Sequence, residues 1–317
     1  MHGVVADPVR EALEVLGPAA ECDVPLGPMT TYRVGGRAAL LVRATGLDDL
    51  MRVAEAHRRS GLPVLAVGRG SNMLIADTGF RGIAVSLLEL PETFEVGPAD
   101  HRGSVVVTVS AGLSLPVVAR RTAKAGLTGF EWAVGVPGSI GGAVRMNAGG
   151  HGSDMAASLV DVTVVDMAAA EERVVPVGEL GLGFRSSDVA PTWLVVQARL
   201  RLDVGDPDAS ARELAEIVAW RRAHQPGGQN AGSVFVNPVP GEVSAGQLID
   251  AAGLRGLRVG SAHVSEKHAN FIQATEDGTA SDVRALMRLV RDRVEAHSGW
   301  SLRSEIRLIG FDDGETA

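Results

Sequence analysis

The sequence predicts a mixed helix–strand protein of roughly two domains, or one domain with a large appendage, on three observations. A strand–helix–strand pattern occupies 38–67. Three strands with alternating apolar residues follow one another at 159–167, 173–177 and 193–202, which suggests an antiparallel sheet. Beyond 206 the pattern turns mainly helical. A chain of 317 residues, 45% hydrophobic and 21% charged, is long and apolar enough to bury a sizeable core.

Taken in order, 38–44 (AALLVRA) and 63–67 (PVLAV) are short apolar runs and so strands. Between them Leu50, Val53, Ala54 and His57 recur at helical spacing over 48–59. The second strand runs into GRGSN (68–72), and MLIA and GIAVSL after it read as strand again. SVVVTVS (104–110) is a strand, and 115–125 a helix with Pro116 near its first turn, where a missing N–H does little harm. A Gly-Asp-Pro turn places a boundary at 206–210. Helices are then expected at 210–223, 245–252 and 280–297, and strands at 271–274 and 302–309. Thr279, with Asp282 three residues on, resembles a capping box for the last helix.

Composition excludes several classes. A net charge of −8 and an aromatic content of 4% argue against a nucleic-acid partner, which wants a basic stripe and stacking rings. Lys124 and Lys267 are the only lysines, so the positive charge is almost all arginine, suited to forked recognition of carboxylate and phosphate. The single cysteine, Cys22, rules out an intrachain disulfide and a multi-cysteine metal site. No metal is expected from His263 and His268, whose spacing of five fits one helical face poorly. The start, MHGVVADPVREALEVLG, has no basic region followed by an apolar core, and no run approaches the ~18 apolar residues of a span. A cytoplasmic protein without a membrane partner is expected. GRGSNM lacks the third glycine of a dinucleotide fingerprint and enters a strand; neither lysine follows a glycine as in a Walker loop; no G-x-S-x-G elbow is present.

Two glycine-rich stretches remain, VGRGSN and GVPGSIGGAVRMNAGG (135–150). Glycine permits positive φ and lets a ligand reach main-chain N–H groups. Ser71, Asn72, Ser139 and Asn147 add neutral donors. Two readings stay open: a cradle that holds a pyrophosphate without lysine, or two tight turns packed on each other.

TTYRVGG (30–36), VGRGSN, GVPGSIGGAVRMNAGG, GFRSSD (183–188), NAGSVFVNP (230–238), VSEKHANF (264–271) and SEIRLIG (304–310) occur in this order. Together, over 24–310, they resemble the UDP-N-acetylenolpyruvoylglucosamine reductase (MurB) family. The resemblance implies an α+β architecture: a two-subdomain FAD-binding fold of the MurB / vanillyl-alcohol-oxidase type plus a C-terminal α+β substrate domain. It implies subdomain 1 over 1–88 with the tail 306–317, subdomain 2 over 89–204 and a substrate-binding domain over 205–305. It implies an FAD-dependent oxidoreductase acting on a CH–CH bond, with non-covalent FAD, NADPH as donor and a UDP-sugar substrate, in peptidoglycan precursor synthesis. Tyr32 is the only tyrosine, so the chain looks like the family's shorter form, without the substrate-clamping tyrosine loop.

Carried over by motif, Gly68, Arg69, Gly70, Ser71 and Asn72, with Pro137, Gly138, Ser139, Gly141, Gly142, Asn147 and Gly149, would bind the cofactor. Arg185 matches the arginine at the developing enolate, Ser233 the proton donor and Glu305 the acidic residue of the terminal motif. Asn237, His268 and Arg221 are substrate-binding candidates. In LRSEIRLIG, Leu302, Ile306 and Leu308 share one parity while Arg303, Glu305 and Arg307 occupy the other face. Three departures touch affinity: Val236 stands where lysine is frequent, Arg303 where the motif has glutamate, Ser261 where glycine is common. An FAD-dependent oxidase on a related fold, with His151 as a residue to check for covalent flavin, and a non-catalytic flavin binder are the alternatives.

Overall fold

The computed structural model describes residues 7–311. Its helices are α1 (Pro8–Leu16), α2 (Leu47–Ser60), α3 (Leu115–Lys124), α4 (Ile140–Met146), α5 (Met155–Ser158), α6 (Pro207–His224), α7 (Ala245–Ala251) and α8 (Ala280–Ser298). The strands run β1 (Ala20–Pro25), β2 (Arg37–Arg43), β3 (Val64–Val67), β4 (Met73–Ile75), β5 (Phe80–Ser86), β6 (Phe94–Ala99), β7 (Ser104–Ser110), β8 (Leu127–Thr128), β9 (Gly149–Gly150), β10 (Ser153–Asp154), β11 (Leu159–Asp166), β12 (Glu171–Pro176), β13 (Trp193–Val204), β14 (Arg258–Val259), β15 (Ala262–Val264), β16 (Ile272–Ala274) and β17 (Arg307–Ile309). Every expected helix and strand up to 298 is present, with ends shifted by at most a few residues.

The elements divide into two compact units. One contains the chain through Asp23, Ala39–Arg69 and Arg81–Trp220; the other contains Val24–Ala38, Gly70–Phe80 and the chain from Arg221. The first unit has two hydrophobic clusters. In one, Leu40, Val42, Ile83 and Val85 meet Leu50 and Val53 of α2 and Ala12 and Leu16 of α1. Here β3 pairs parallel with β5, Val64 opposite Ile83, in a sheet of order β1-β2-β5-β3. The helix ends at Gly61, whose φ of 69° lets its N–H reach the His57 carbonyl.

The other cluster covers the antiparallel sheet β12-β11-β13-β7-β6, with β8 beside β13. Alternate valines of β7 (Val105, Val107, Val109) face α3 residues Leu115 and Val118 and α4 residues Ile140 and Val144. The expected strands 159–167, 173–177 and 193–202 are its antiparallel neighbours β11, β12 and β13.

The second unit holds the meander β14-β15-β16, the parallel pair β4–β17, and α7 and α8. Its core joins Val234, Phe235, Ile249, Val264, Leu286, Val290 and Ile306 to Tyr32, Val34 and Leu74 from far upstream. The Tyr32 hydroxyl is fully buried without a hydrogen-bond partner among the described residues, and desolvation raises its pKa well above the ordinary phenol value. Two expectations change here. The last ladder covers only Arg307–Ile309, not 302–309, because 302–306 lies beside irregular chain and not a strand. The capping box is half made: Thr279 Oγ1 accepts the Asp282 amide at 3.1 Å, but the Asp282 carboxylate turns to Ser261. Among the described residues no helix is long and apolar enough to cross a membrane.

Candidate active site

In the first unit the glycine stretch folds into a turn, Pro137–Gly138–Ser139, and then α4. Ile140, Ala143 and Val144 bury one side of that helix. The Ile140 amide donates to the Leu113 carbonyl at 2.9 Å, and Gly141 N–H to Ala111 at 3.0 Å. Both donors are therefore engaged by protein and not open to a ligand. Packing also explains several glycines. A Cβ on Gly68 would lie 2.4 Å from Ser139 Oγ, one on Gly141 3.0 Å from Ala111 Cβ, and one on Gly149 2.5 Å from Asp154 Cβ.

Gly142 differs. It is exposed, and a Cβ there would meet only Ser139 Oγ, at 3.5 Å. The Ser139 side chain is buried, at 4% exposure, yet its hydroxyl has no hydrogen-bond partner among the described residues. A retained donor beside uncovered main chain suits a diphosphate oxygen, so the residues present fit the cofactor the motif implies. The two stretches pack on each other where Gly68 meets Ser139, and one corner of them, at Gly142, stays bare.

Asn147 takes a left-handed φ of 40° and is 2% exposed. Its Nδ2 donates to Asp154 Oδ2 at 3.0 Å and to the Gly183 carbonyl at 2.9 Å, while its Oδ1 accepts the Ala156 amide. The amide thus ties the glycine stretch to the GFRSSD turn, whose Gly183 N–H bonds the Ser186 carbonyl at 3.0 Å. Arg185 sits at the tip with φ 56°. Its Nη2 donates to the Gly149 carbonyl at 2.7 Å, and its guanidinium lies over Phe184, 5.0 Å from the ring centre. Arg185, Asn147 and Gly149, which fall in two separate motifs of the sequence, form one assembly. Pro137 and Arg69 are exposed, and the Gly138 carbonyl accepts the Leu115 amide at 3.1 Å.

The second unit brings together Asn72, Ser233 and Glu305. Gly70 is needed sterically: a Cβ would lie 2.3 Å from the Met29 carbonyl oxygen. Two residues on, past Ser71, Asn72 Nδ2 donates to the Glu305 carbonyl at 2.9 Å, and the Arg307 amide donates back to the Asn72 carbonyl at 3.0 Å. Glu305 N–H in turn donates to the Val234 carbonyl at 2.8 Å, beside Ser233. Gly232 supplies a φ of 77° with no atom within 4 Å of a Cβ, so space is open next to the serine. The Ser233 hydroxyl is half-buried and has no hydrogen-bond partner among the described residues. The expected parity holds through Ile306 although the ladder does not: Leu302 and Ile306 are buried, Arg303 is exposed and Glu305 half-buried, while Arg307 and Leu308 are half-buried alike.

His268 packs edge-on against Phe271, with ring centres 4.7 Å apart. Its Nδ1 accepts the Asn270 amide at 3.3 Å, which leaves the proton on Nε2. Burial first, then the nearby Arg255 and His224 charges, hold its pKa below the usual histidine value. Arg221 is half-buried, and desolvation lowers its pKa. Asn237 Oδ1 accepts the Ala245 amide at 3.0 Å and so helps start α7. Val236 is buried, facing the core rather than offering a charge. Asn270 and Asn230 were not singled out from the sequence. Asn230 Oδ1 takes the Gly232 amide at 3.1 Å, and Asn270 clamps Phe235; the only signal was their place inside motifs already quoted.

Two family models match the chain: an FAD binding domain over residues 38–174, and the C-terminal domain of UDP-N-acetylenolpyruvoylglucosamine reductase over 224–309. A reductase of that name from Gloeobacter violaceus is 44% identical, over 90% of this chain and 95% of its own. One from Rubrobacter xylanophilus is 39% identical, over 94% and 98%. The crystal structure of the enzyme from Thermus caldophilus superposes with a TM-score of 0.75 at 35% identity, covering 92% of this chain and 98% of that one.

Proposed function

The chain belongs to the UDP-N-acetylenolpyruvoylglucosamine reductase (MurB) family, and from that premise we propose that it reduces the enolpyruvyl group of UDP-N-acetylenolpyruvoylglucosamine to UDP-N-acetylmuramate. Likeness along about nine-tenths of both chains carries this reading. The electron donor is NADPH, the cofactor non-covalent FAD, and the compartment the cytoplasm, where peptidoglycan precursors are made. Residues 1–88 with 306–317, and 89–204, serve as the cofactor-binding subdomains, and 205–305 as the substrate domain.

FAD, when bound, supplies a hydride carrier between NADPH and the vinyl carbon. Gly68–Asn72 and the 137–149 stretch would hold it, with Ser139 Oγ and the bare main chain at Gly142 as donors for its diphosphate. A plain enol ether is a poor hydride acceptor; the adjacent carboxylate makes the step feasible because charge spreads into it as an enolate. Arg185 stabilises that charge, since a guanidinium stays protonated and presents a fork of donors. Ser233 then gives its proton to the neighbouring carbon. A hydroxyl is a weak acid and donates only to a strongly basic acceptor, which the enolate is. Glu305, the acidic residue of the terminal motif, assists at the same site. His268 Nε2–H, Asn237 and Arg221 contact the UDP-sugar.

Anaerobic NADPH should bleach the yellow, FAD-loaded protein, and the enolpyruvyl UDP-sugar should restore the colour with one product per flavin. Recovery driven by oxygen alone, with no response to the UDP-sugar, would instead make the chain an oxidase.

A further inference from the structure

The segment that carries Ser233 has the hydrogen bonding of a central strand without a neighbouring strand on one side. On one flank Glu305 N–H meets the Val234 carbonyl at 2.8 Å and Val236 N–H meets Arg303 at 3.0 Å. On the other flank a single residue stands in for a strand. Asn270 Oδ1 accepts the Phe235 amide at 3.0 Å, its Nδ2 donates to the Phe235 carbonyl at 2.8 Å, and its own carbonyl accepts the Val234 amide at 2.9 Å. The side-chain amide thereby reproduces the paired N–H···O bonds of an antiparallel ladder. Asn270 is 4% exposed, so neither end of its amide has water as a substitute partner.

We infer that Asn270 is the positioning residue for Ser233, and the inference rests on Ser233 being the proton donor. Ser233 lies between Gly232, which has left-handed φ and open space around it, and Val234, whose N–H and C=O are both held. The serine is thus the first residue of a fixed segment hung from a permissive joint. Its hydroxyl has no hydrogen-bond partner among the described residues, so the backbone bonds around it set where it points: Gly232 N–H on Asn230 Oδ1 before it, and the Val234 and Phe235 bonds after it. A proton donor must be held within a fraction of an ångström to be useful. Only asparagine meets the geometry: aspartate would turn an acceptor toward the Phe235 carbonyl, and serine or alanine would leave both Phe235 groups without a partner. The Asn270 main-chain N–H also donates to His268 Nδ1 at 3.3 Å, which links the same residue to an imidazole proposed to contact substrate.

The test separates the two half-reactions, each normalised to bound FAD. Asn270→Asp should be bleached by NADPH at a rate within about twofold of wild type, and reoxidised by the enolpyruvyl UDP-sugar at least about tenfold more slowly. Amide hydrogen exchange at Val234 and Phe235 should quicken while exchange across α8 stays as it was. Combined with Ser233→Ala, Asn270→Asp should add less than about a twofold further loss, because both act through one hydroxyl. Asn270→Ser carries the same comparison where the buried carboxyl prevents folding. Equal slowing of both half-reactions, or losses that multiply in the double variant, would overturn the inference. Wild-type reoxidation by Ser233→Ala would remove the proton-donor reading and this inference with it. Slow Ser233→Ala beside fast Asn270→Asp would remove the positioning role alone.

Discussion

Arg185 holds a φ of 56°, in a region that non-glycine residues leave unless their surroundings over-determine them, at a cost of about 1–3 kcal/mol. Here three contacts do so: the Gly183–Ser186 pairing, Asn147 on the Gly183 carbonyl, and the guanidinium on the Gly149 carbonyl. Arg185→Lys keeps the charge and loses the fork. Bleaching by NADPH should persist, while reoxidation by substrate should slow by about 10²-fold, the effect of removing one preorganised donor; an unchanged rate in stopped-flow would remove Arg185 from the chemistry. His268 gives a pH test. Its folded pKa lies below the unfolded value of about 6.5, so the ring is neutral at pH 7. As pH falls below 6.5 the unfolded chain takes up the proton first, so this residue's share of stability is intact above about 6.5 and is lost as pH falls toward the folded midpoint. An NMR titration of the ring should give a midpoint below 6.5, and one at or above it would contradict the burial described here.

At the scale of elements, α8 is started by residues that are remote in sequence. Asp77 accepts the amides of Ala280 and Ser281, both at 2.9 Å, from 203 and 204 residues away. Ser261 Oγ donates to Asp282 at 2.7 Å and accepts the Thr279 amide at 3.0 Å. These Ser261 bonds hold the Asp282 carboxyl below the ordinary range, so their stabilisation is present above about pH 4 and is lost as pH falls through the folded pKa. Asp77→Ala should cost about 1 kcal/mol, as loss of a cap does, and Ser261→Gly somewhat less; thermal melting of both should move down, with Ser261→Gly converging on wild type in acid. This is where the sequence stops being legible. Thr279 and Asp282 announced the helix start correctly, because a cap is local. The half of the box that failed did so because a serine distant in the chain competes for the aspartate. The same holds for 302–309: period-two burial was readable in Leu302 and Ile306, but the partner for 302–306 is the irregular Ser233 segment, which no local pattern reveals. The glycine stretch was readable as close approach, whereas α4 inside it was masked by glycine's poor helix propensity.

The whole chain passes between its two units at 23/24, 38/39, 69/70, 80/81 and 220/221. The sequence showed a boundary only near 206–210, because turn composition marks where helices begin and not which distant strands share a core. The proposed functional domains and the compact units therefore divide the chain differently. The substrate domain proposed for 205–305 lacks much of what its own core uses. Tyr32, Val34 and Leu74 belong to that cluster. The terminal strand β17 pairs with β4, Leu308 opposite Leu74, and Asp77 caps α8. An excised 205–317 fragment would leave the Ile306 side of the core uncovered and the β17 amides unpaired, and three buried apolar side chains are each worth about 1.5–3 kcal/mol. That sum is comparable to the total stability of a small domain, about 5–15 kcal/mol. The fragment should thus show helix in far-ultraviolet circular dichroism but no cooperative melt and poor amide dispersion in NMR. The full chain should melt cooperatively and shift upward on adding FAD, by an amount that grows with FAD concentration. A fragment that melts sharply on its own would mean that 24–38 and 70–80 decorate the second unit and do not help build it.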